Sequence, residues 1–319
     1  MGISFISKLF KSKNHVDGKL AIGLDTDGIY LAKVKSVGGM PCVLRCEFHP
    51  MESVSTAALD KLRRSAHLDT KGCITLLSPG EYQLSLVEAP NVPPEELKTA
   101  IRWKIKDNLL YPVEDAMIDV LRIPSGKFGG SDRAQSVYTV SAANDIVRKR
   151  VEMFHQAGVE LAVIDIPEMA QRNIAMLFEQ EGRALALLAF DDHGGLLTFT
   201  SGGELYLARR IEVGIGQLRD ASDHLREQAH GRIELELQRS LDYFDRQFNH
   251  LPISRVLVSV PDDTRLVEFL TSVSDARVEK LDLSQAMDIS AIGELDDSEF
   301  VAKSLSTLGA ALRQAGGRQ

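Results

Sequence analysis

The residues best suited to do chemistry in this chain are the carboxylates of one short turn. Ala21-Ile22-Gly23-Leu24 runs apolar into Asp25-Thr26-Asp27-Gly28, and Ile29-Tyr30-Leu31-Ala32-Lys33-Val34 leaves it apolar again. That pattern predicts a β-hairpin with an Asp-rich turn. Such a turn can hold a metal–phosphate group, with backbone N–H groups on the phosphate and a carboxylate on the cation. Asp25 is the candidate for that carboxylate and for the metal. A second polar cluster, Asp191-Asp192-His193-Gly194-Gly195, follows another apolar run. His193 beside Asp192 suggests acid–base work, but no nucleophile or oxyanion donor accompanies it. Neither a Ser/His/Asp set, nor an HExxH helix, nor a phosphate loop of the Walker type is present.

Composition bounds the class. The chain has 319 residues, 44% hydrophobic and 26% charged, with a net charge of −8. The length suits about two domains of ordinary size. An acidic balance argues against a general nucleic-acid binder, which needs a basic surface to displace counterions. Cys42, Cys46 and Cys73 form a sparse, odd set that reads as free thiols in a reducing compartment. Cys42 and Cys46 lie in a strand-like stretch without a second ligand pair, so a zinc site is not expected. No apolar run approaches the roughly 20 residues that span a bilayer.

The first residues break the plain soluble pattern. Ile3, Ile6 and Phe10 are helically spaced, with Phe5 and Leu9 near the same stripe and Lys8, Lys11 and Lys13 between them. A short basic amphipathic helix of this kind can lie in a membrane interface, and a tail without structure or a helix that docks on a partner are the alternatives. A secretory signal fits poorly, because Ser4, Ser7 and Lys8 interrupt the apolar core.

Periodicity and turn residues set out the elements that must position these groups. A strand–turn–strand–turn–strand meander is expected over residues 19–45, and a second one begins near Arg183. Helices are expected over residues 55–66, 95–110, 144–158, 168–180, 233–249, 265–272 and 300–313. Asp262-Asp263 should cap the helix that follows. Each half opens with a meander and then adds helix and strand, so the chain repeats its topology without repeating its sequence. Two such halves facing each other make a two-lobed α/β protein with a cleft between them, the default place for a ligand.

Five segments, in order from about residue 19 to about residue 313, carry a resemblance. They are Ile22-Gly23-Leu24-Asp25 with its turn; Glu95 to Lys104 with Tyr111-Pro112-Val113-Glu114-Asp115; Ile164-Asp165-Ile166-Pro167-Glu168; Glu236-Leu237-Gln238-Arg239-Ser240-Leu241-Asp242-Tyr243-Phe244; and Leu305-Ser306-Thr307-Leu308-Gly309-Ala310-Ala311-Leu312-Arg313. Together they resemble the PilM family of type IV pilus assembly, within the actin-like ATPase superfamily. The nearest branch is the MshI family of mannose-sensitive haemagglutinin pili. The fold class this implies is an actin-like (ribonuclease H-like) two-lobed α/β fold with an extra subdomain in the first lobe.

The resemblance also implies a domain plan and a site. Residues 1–18 would be the basic tail, and 19–182 the first lobe, with its inserted subdomain at about 82–159. Residues 183–299 would be the second lobe, and 300–319 a terminal helix returning to the first. Family positions for nucleotide binding fall on Asp25, Asp27, Asp192, Gly194, Glu236 and Arg239. The departures weaken that site. Asp25-Thr26-Asp27-Gly28 stands where the family has D-I-G-S, and Asp27 would repel phosphate unless a cation lay between them. The family's adenosine turn, S-G-G, is Ser259-Val260-Pro261 here. Proline removes a backbone donor and valine adds a Cβ where a base needs close approach. No cofactor is therefore expected, with weak binding of ATP and Mg as the remaining option.

The implied role is a cytoplasmic adaptor at the inner face of the inner membrane. Its partner would be the cytoplasmic tail of a PilN-like inner-membrane pilus protein, with no nucleic acid involved. A working ATPase is the alternative. Trp103, the single tryptophan, is expected in a core, or else in the groove that takes the partner's tail.

Overall fold

A computed structural model describes residues 19–124 and 136–313. The expectations for the basic amphipathic stretch at residues 1–13 lie outside these residues. The first sheet contains β1 (Lys19–Leu24), β2 (Gly28–Val37), β3 (Met40–Pro50), β4 (Cys73–Leu76) and β8 (Leu161–Asp165), in the order β3-β2-β1-β4-β8. The second contains β9 (Ala184–Asp191), β10 (Gly194–Ser201), β11 (Glu204–Ile211), β12 (Ile253–Ser259) and β13 (Val278–Lys280), in the order β11-β10-β9-β12-β13. The two orders are the same. In each, an antiparallel meander is followed by two parallel strands, so the internal repeat is real at the level of topology.

Pleat alternation explains how each strand serves two cores. On β1 and β2, Ala21, Ala32 and Val34 face inward, while Leu20, Ile22, Ile29 and Leu31 face outward. The inner face packs on α4 (Pro167–Ala175) and α8 (Ser298–Ala311), which lie between the two sheets. Leu185, Leu187 and Ala189 of β9 and Leu257 of β12 close the same core from the other side. Proline at the first turn starts α4, and the Asp297 carboxylate accepts the Glu299 N–H (3.0 Å) to cap α8. Small residues let α8 approach closely. A Cβ at Gly309 would stand 2.2 Å from the Ala170 carbonyl, and one at Gly23 would stand 2.2 Å from Thr307 Oγ1.

The outer face of the first sheet packs on α1 (Thr56–Ser65) and α3 (Asn144–Gln156), with Leu59, Leu62 and Phe154 fully enclosed or nearly so. The outer face of the second packs on α6 (Asp223–Gln247) and α7 (Leu266–Val273). A third, three-stranded sheet runs β5-β7-β6, from β5 (Gln83–Glu88), β6 (Ala116–Arg122) and β7 (Ser136–Ala143). It carries α2 (Leu97–Lys104) and touches the second sheet. The Ala208 N–H donates to the Tyr138 hydroxyl (3.0 Å), and Ile123, Tyr138 and Leu205 share a small apolar cluster. Between β11 and α6 there is only the four-residue α5 (Ile215–Leu218).

Several local expectations change. The helix expected over residues 95–110 is α2 followed by a separate single turn at Lys106–Asn108. The chain becomes extended at Leu109, which lets Leu109 and Tyr111 fold back on the core of Ile101 and Ile105. The long helix begins at Asp223, ten residues before the expected start at 233. Its polar first part is held by packing, with Ala229 and His230 buried and the His230 ring 5.0 Å from Phe269. Asp262 and Asp263 do not cap α7. They form one helical turn with Thr264, and their carboxylates pair with Lys280 and Arg219. Trp103 is 59% exposed rather than buried in a core.

Candidate functional site

Two turns from different sheets meet at the mouth of the cleft between the lobes. The first joins β1 to β2. The Asp25 N–H donates to the Gly28 carbonyl (2.9 Å), and the Asp25 carboxylate accepts the Thr26 N–H (2.7 Å). Gly28 is required by crowding, since a Cβ there would fall 2.4 Å from the His49 carbonyl and 2.6 Å from the Phe48 ring. Asp27 is exposed, and its carbonyl accepts the Met51 N–H (2.9 Å).

The second turn joins β9 to β10. Asp191 accepts the His193 N–H (2.8 Å). Gly194 has φ +136°, and a Cβ there would lie 2.8 Å from the Ile211 carbonyl. This folding of the turn aims the His193 ring across the cleft. Its Nε2 lies 3.0 Å from Asp25 Oδ1. The hydrogen bond that it donates to the Asp25 carboxylate raises the His193 pKa above its ordinary value. The same bond lowers that of Asp25. Burial raises Asp191.

From this point a chain of ion pairs runs along the cleft. Asp192 meets Lys303 (2.9 Å), and Lys303 meets Glu299 one turn earlier on α8 (3.3 Å). Glu299 meets Arg219 (2.9 Å), and Arg219 meets Asp263 (2.8 Å), just beyond Ser259-Val260-Pro261. Hydrogen bonding to Asp192 raises Lys303, and hydrogen bonding to Arg219 lowers Glu299. Tyr30 lies buried beneath. Burial first, then the negative charge of Asp27, Asp25, Asp192 and Glu299, pushes its phenol far above the usual range.

A second polar tie crosses the lobes behind this chain. Glu168, at the start of α4, is 1% exposed. It accepts from the Tyr82 hydroxyl (2.5 Å) and pairs with Arg210 of β11 (2.9 Å). Arg210 also donates to the Tyr82 hydroxyl (2.5 Å). The triad joins the segment before β5, a helix of the inter-sheet core, and the second sheet.

The structure therefore brings Asp25 together with the Asp192–Gly194 turn. Glu236 and Arg239 pair with each other on α6 (3.1 Å), and their polar contacts do not reach the two turns. Nothing in the sequence signals the Asp25–His193 contact, the ion pairs of Lys303, Glu299 and Arg219, or the buried triad of Glu168, Tyr82 and Arg210. The four-residue spacing of Glu299 and Lys303 was visible, but that spacing marks any solvated helix face. Cys46 and Cys73 are pushed up to about 11 and about 12, chiefly by burial, so neither is a ready nucleophile. Among the described residues no group of three or more His, Cys, Asp or Glu side chains could hold a metal ion. Asp25 Oδ1 accepts from the Thr26 N–H and lies against the His193 imidazole.

The solved structures define the class. The protein has the actin-like two-lobed α/β fold. A Bacteroides thetaiotaomicron protein with an actin-like ATPase fold and unknown function matches with a TM-score of 0.50 and 12% identity, over 88% of this chain and 96% of its own. A chain of the PilM–PilN type IV pilus biogenesis complex matches with a TM-score of 0.71 and 19% identity, over 94% of this chain and 98% of its own. No protein-family model and no curated protein matches the sequence. Among the described residues no helix is long and apolar enough to cross a membrane.

Proposed function

We propose that this protein is a cytoplasmic actin-like adaptor of type IV pilus assembly, of the mannose-sensitive haemagglutinin (MshI) kind. In this reading it binds the cytoplasmic tail of a PilN-like inner-membrane protein at the inner face of the membrane, and residues 1–13 add peripheral contact with lipid. The observation that carries it is the likeness to the chain of the PilM–PilN complex, which extends over nearly the whole of both chains. The third sheet supplies a suitable docking element. Its outer strand β5 is an edge strand, and Leu86, Trp103 and Leu110 expose apolar surface on the same subdomain. An extended tail can add to such an edge, with main-chain bonds giving affinity and side-chain pockets giving selectivity.

The nucleotide site is degenerate in this reading. What supports it is the engagement of the cleft's carboxylates and the proline after β12. Asp25, Asp192, Glu299 and Asp263 are each engaged by His193, Lys303 or Arg219, and Pro261 offers no N–H after β12. The alternative, a working ATPase, draws on the two Asp-bearing turns that face each other across the cleft. The test is capture of the purified full chain by a peptide of the inner-membrane protein's cytoplasmic tail, with hydrogen exchange followed in parallel. Protection in residues 82–159 on binding is the expected result. Protection confined to residues 191–195 and 236–239 would place the tail in the cleft and reject the adaptor mechanism.

A further inference from the structure

We propose that the turn end of the β2–β3 hairpin is a docking surface for the headgroup layer of an anionic bilayer. β3 is the outermost strand of the first sheet. Val37 and Met40 are register partners beside the Gly38–Gly39 turn, and they are 56% and 52% exposed. By alternation Val37 shares the face of β2 that buries Ile29 and Leu31 farther along the strand. Leu44, 47% exposed, is the extra residue of a bulge. Lys33 pairs with Arg45 and Val34 with Val43, so Leu44 has no register partner on β2. Three large apolar side chains grouped at one exposed corner mark a contact surface.

Charge and position select a bilayer as the occupant. Lys33 and Lys35 alternate onto the same face as Val37, and Arg45 stands opposite Lys33, paired with Glu47 (3.2 Å). Lysines beside apolar side chains suit lipid headgroups, with the charge on the headgroup and the stem along the apolar surface. The chain also brings its amphipathic stretch here. Lys19 opposes Val34, so residues 1–18 join the sheet four residues, about 13 Å, from the turn. Ile3, Ile6, Phe10, Lys8 and Lys11 of that stretch combine the same apolar and basic types. A second copy fits less well, because a symmetric contact through this face would bring two sets of lysines together. The Asp25–Gly28 turn lies at the opposite end of β1 and β2, and β4, parallel to β1, leads from that end towards β5. Docking by the hairpin therefore keeps the cleft and the β5 edge away from the lipid surface. The docking surface rests on the reading of a protein at the inner membrane face. Capture of the partner tail in solution tests that reading without lipid, so the two can fail separately.

Co-sedimentation of the full chain with vesicles tests this, comparing phosphatidylcholine alone with phosphatidylcholine that contains phosphatidylglycerol. The wild type should bind the anionic vesicles, and added salt should weaken the binding. Val37→Ser combined with Met40→Ser should lower the affinity about tenfold and leave the melting temperature unchanged. Lys33→Gln combined with Lys35→Gln should lower it and flatten the salt dependence. Leu225→Ser, at an exposed position of α6, should bind as the wild type does. Hydrogen exchange on the vesicle-bound wild type should show added protection in residues 35–44, a reading that needs no variant. A wild type that ignores anionic vesicles overturns the proposal. So does a Val37→Ser, Met40→Ser protein that binds as tightly as the wild type, which would leave lipid contact to residues 1–13. Absence of added protection in residues 35–44 overturns it as well. Self-association without lipid that the same double variant abolishes would assign the face to a second copy and reject the bilayer.

Discussion

Asp25 of the β1–β2 turn and His193 of the β9–β10 turn stand 168 residues apart in the chain and 3.0 Å apart in the fold. Their pairing converts two sequence-distant turns into one polar site. It has a defined signature in stability against pH. His193 is raised, so its contribution is full below the unfolded imidazole value of about 6.5 and is lost as pH rises through the folded value. Asp25 is lowered, so its contribution is present above about 3.9 and is lost as pH falls through its folded value. The melting-temperature gap between wild type and His193→Gln should thus be widest between about pH 4 and about pH 6.5, and should shrink by about pH 8.5. A gap that grows with pH would contradict the pairing.

Nucleotide should leave the protein unmoved. A ligand stabilises only to the extent that its concentration exceeds its Kd. Mg-ATP at about 1 mM is expected to leave the melting temperature of the wild type unchanged, as read by scanning calorimetry. A shift of several degrees that vanishes in Asp25→Ala would show a live site and favour the ATPase reading.

The close approach of α8 to α4 should be intolerant of a single methyl. Gly309→Ala places a Cβ 2.2 Å from the Ala170 carbonyl, a backbone atom with no rotamer to yield. Overpacking of this kind costs about 1–3 kcal/mol, measurable by urea unfolding. Gly293→Ala, which meets nothing within 4 Å, is the control and should be near neutral.

The Tyr82–Glu168–Arg210 triad should behave as a buried network. Tyr82→Phe removes one hydroxyl that both neighbours use, for a loss of about 1 kcal/mol. Glu168→Ala should cost more, because it strips partners from Tyr82 and Arg210 together. Double-mutant cycles between Tyr82 and Arg210 should show non-additivity, and additive losses would argue that the residues act separately.

Trp103 should separate binding from folding. It is 59% exposed, so Trp103→Ala should change stability by no more than about 0.5 kcal/mol. The same substitution should weaken capture of the inner-membrane tail. As the single tryptophan it also reports directly, and tail binding should shift its emission to the blue. Unchanged emission and unchanged capture would move the docking surface away from α2.

Short-range pattern determined much of this protein. Alternating apolar residues and turn glycines place both meanders, because pleat and turn chemistry act over a few residues. Gly38 and Gly39, with φ of 59° and 89°, mark the β2–β3 turn as their types suggest. The ordered motifs pointed to the fold class. Tertiary structure decided the rest, for physical reasons. Packing on α7 carried α6 back past Gly231 to Asp223, where local propensity is weak. Trp103, apolar and helical, proved to face outward, since periodicity marks a stripe without saying what covers it. Asp262 and Asp263 resemble a helix cap in sequence, yet Lys280 and Arg219 lie near enough in space to take their carboxylates. Above all, the sequence names Asp25 and His193 but cannot pair them. Only the packing of two sheets on α4 and α8 brings an imidazole to a carboxylate across the cleft.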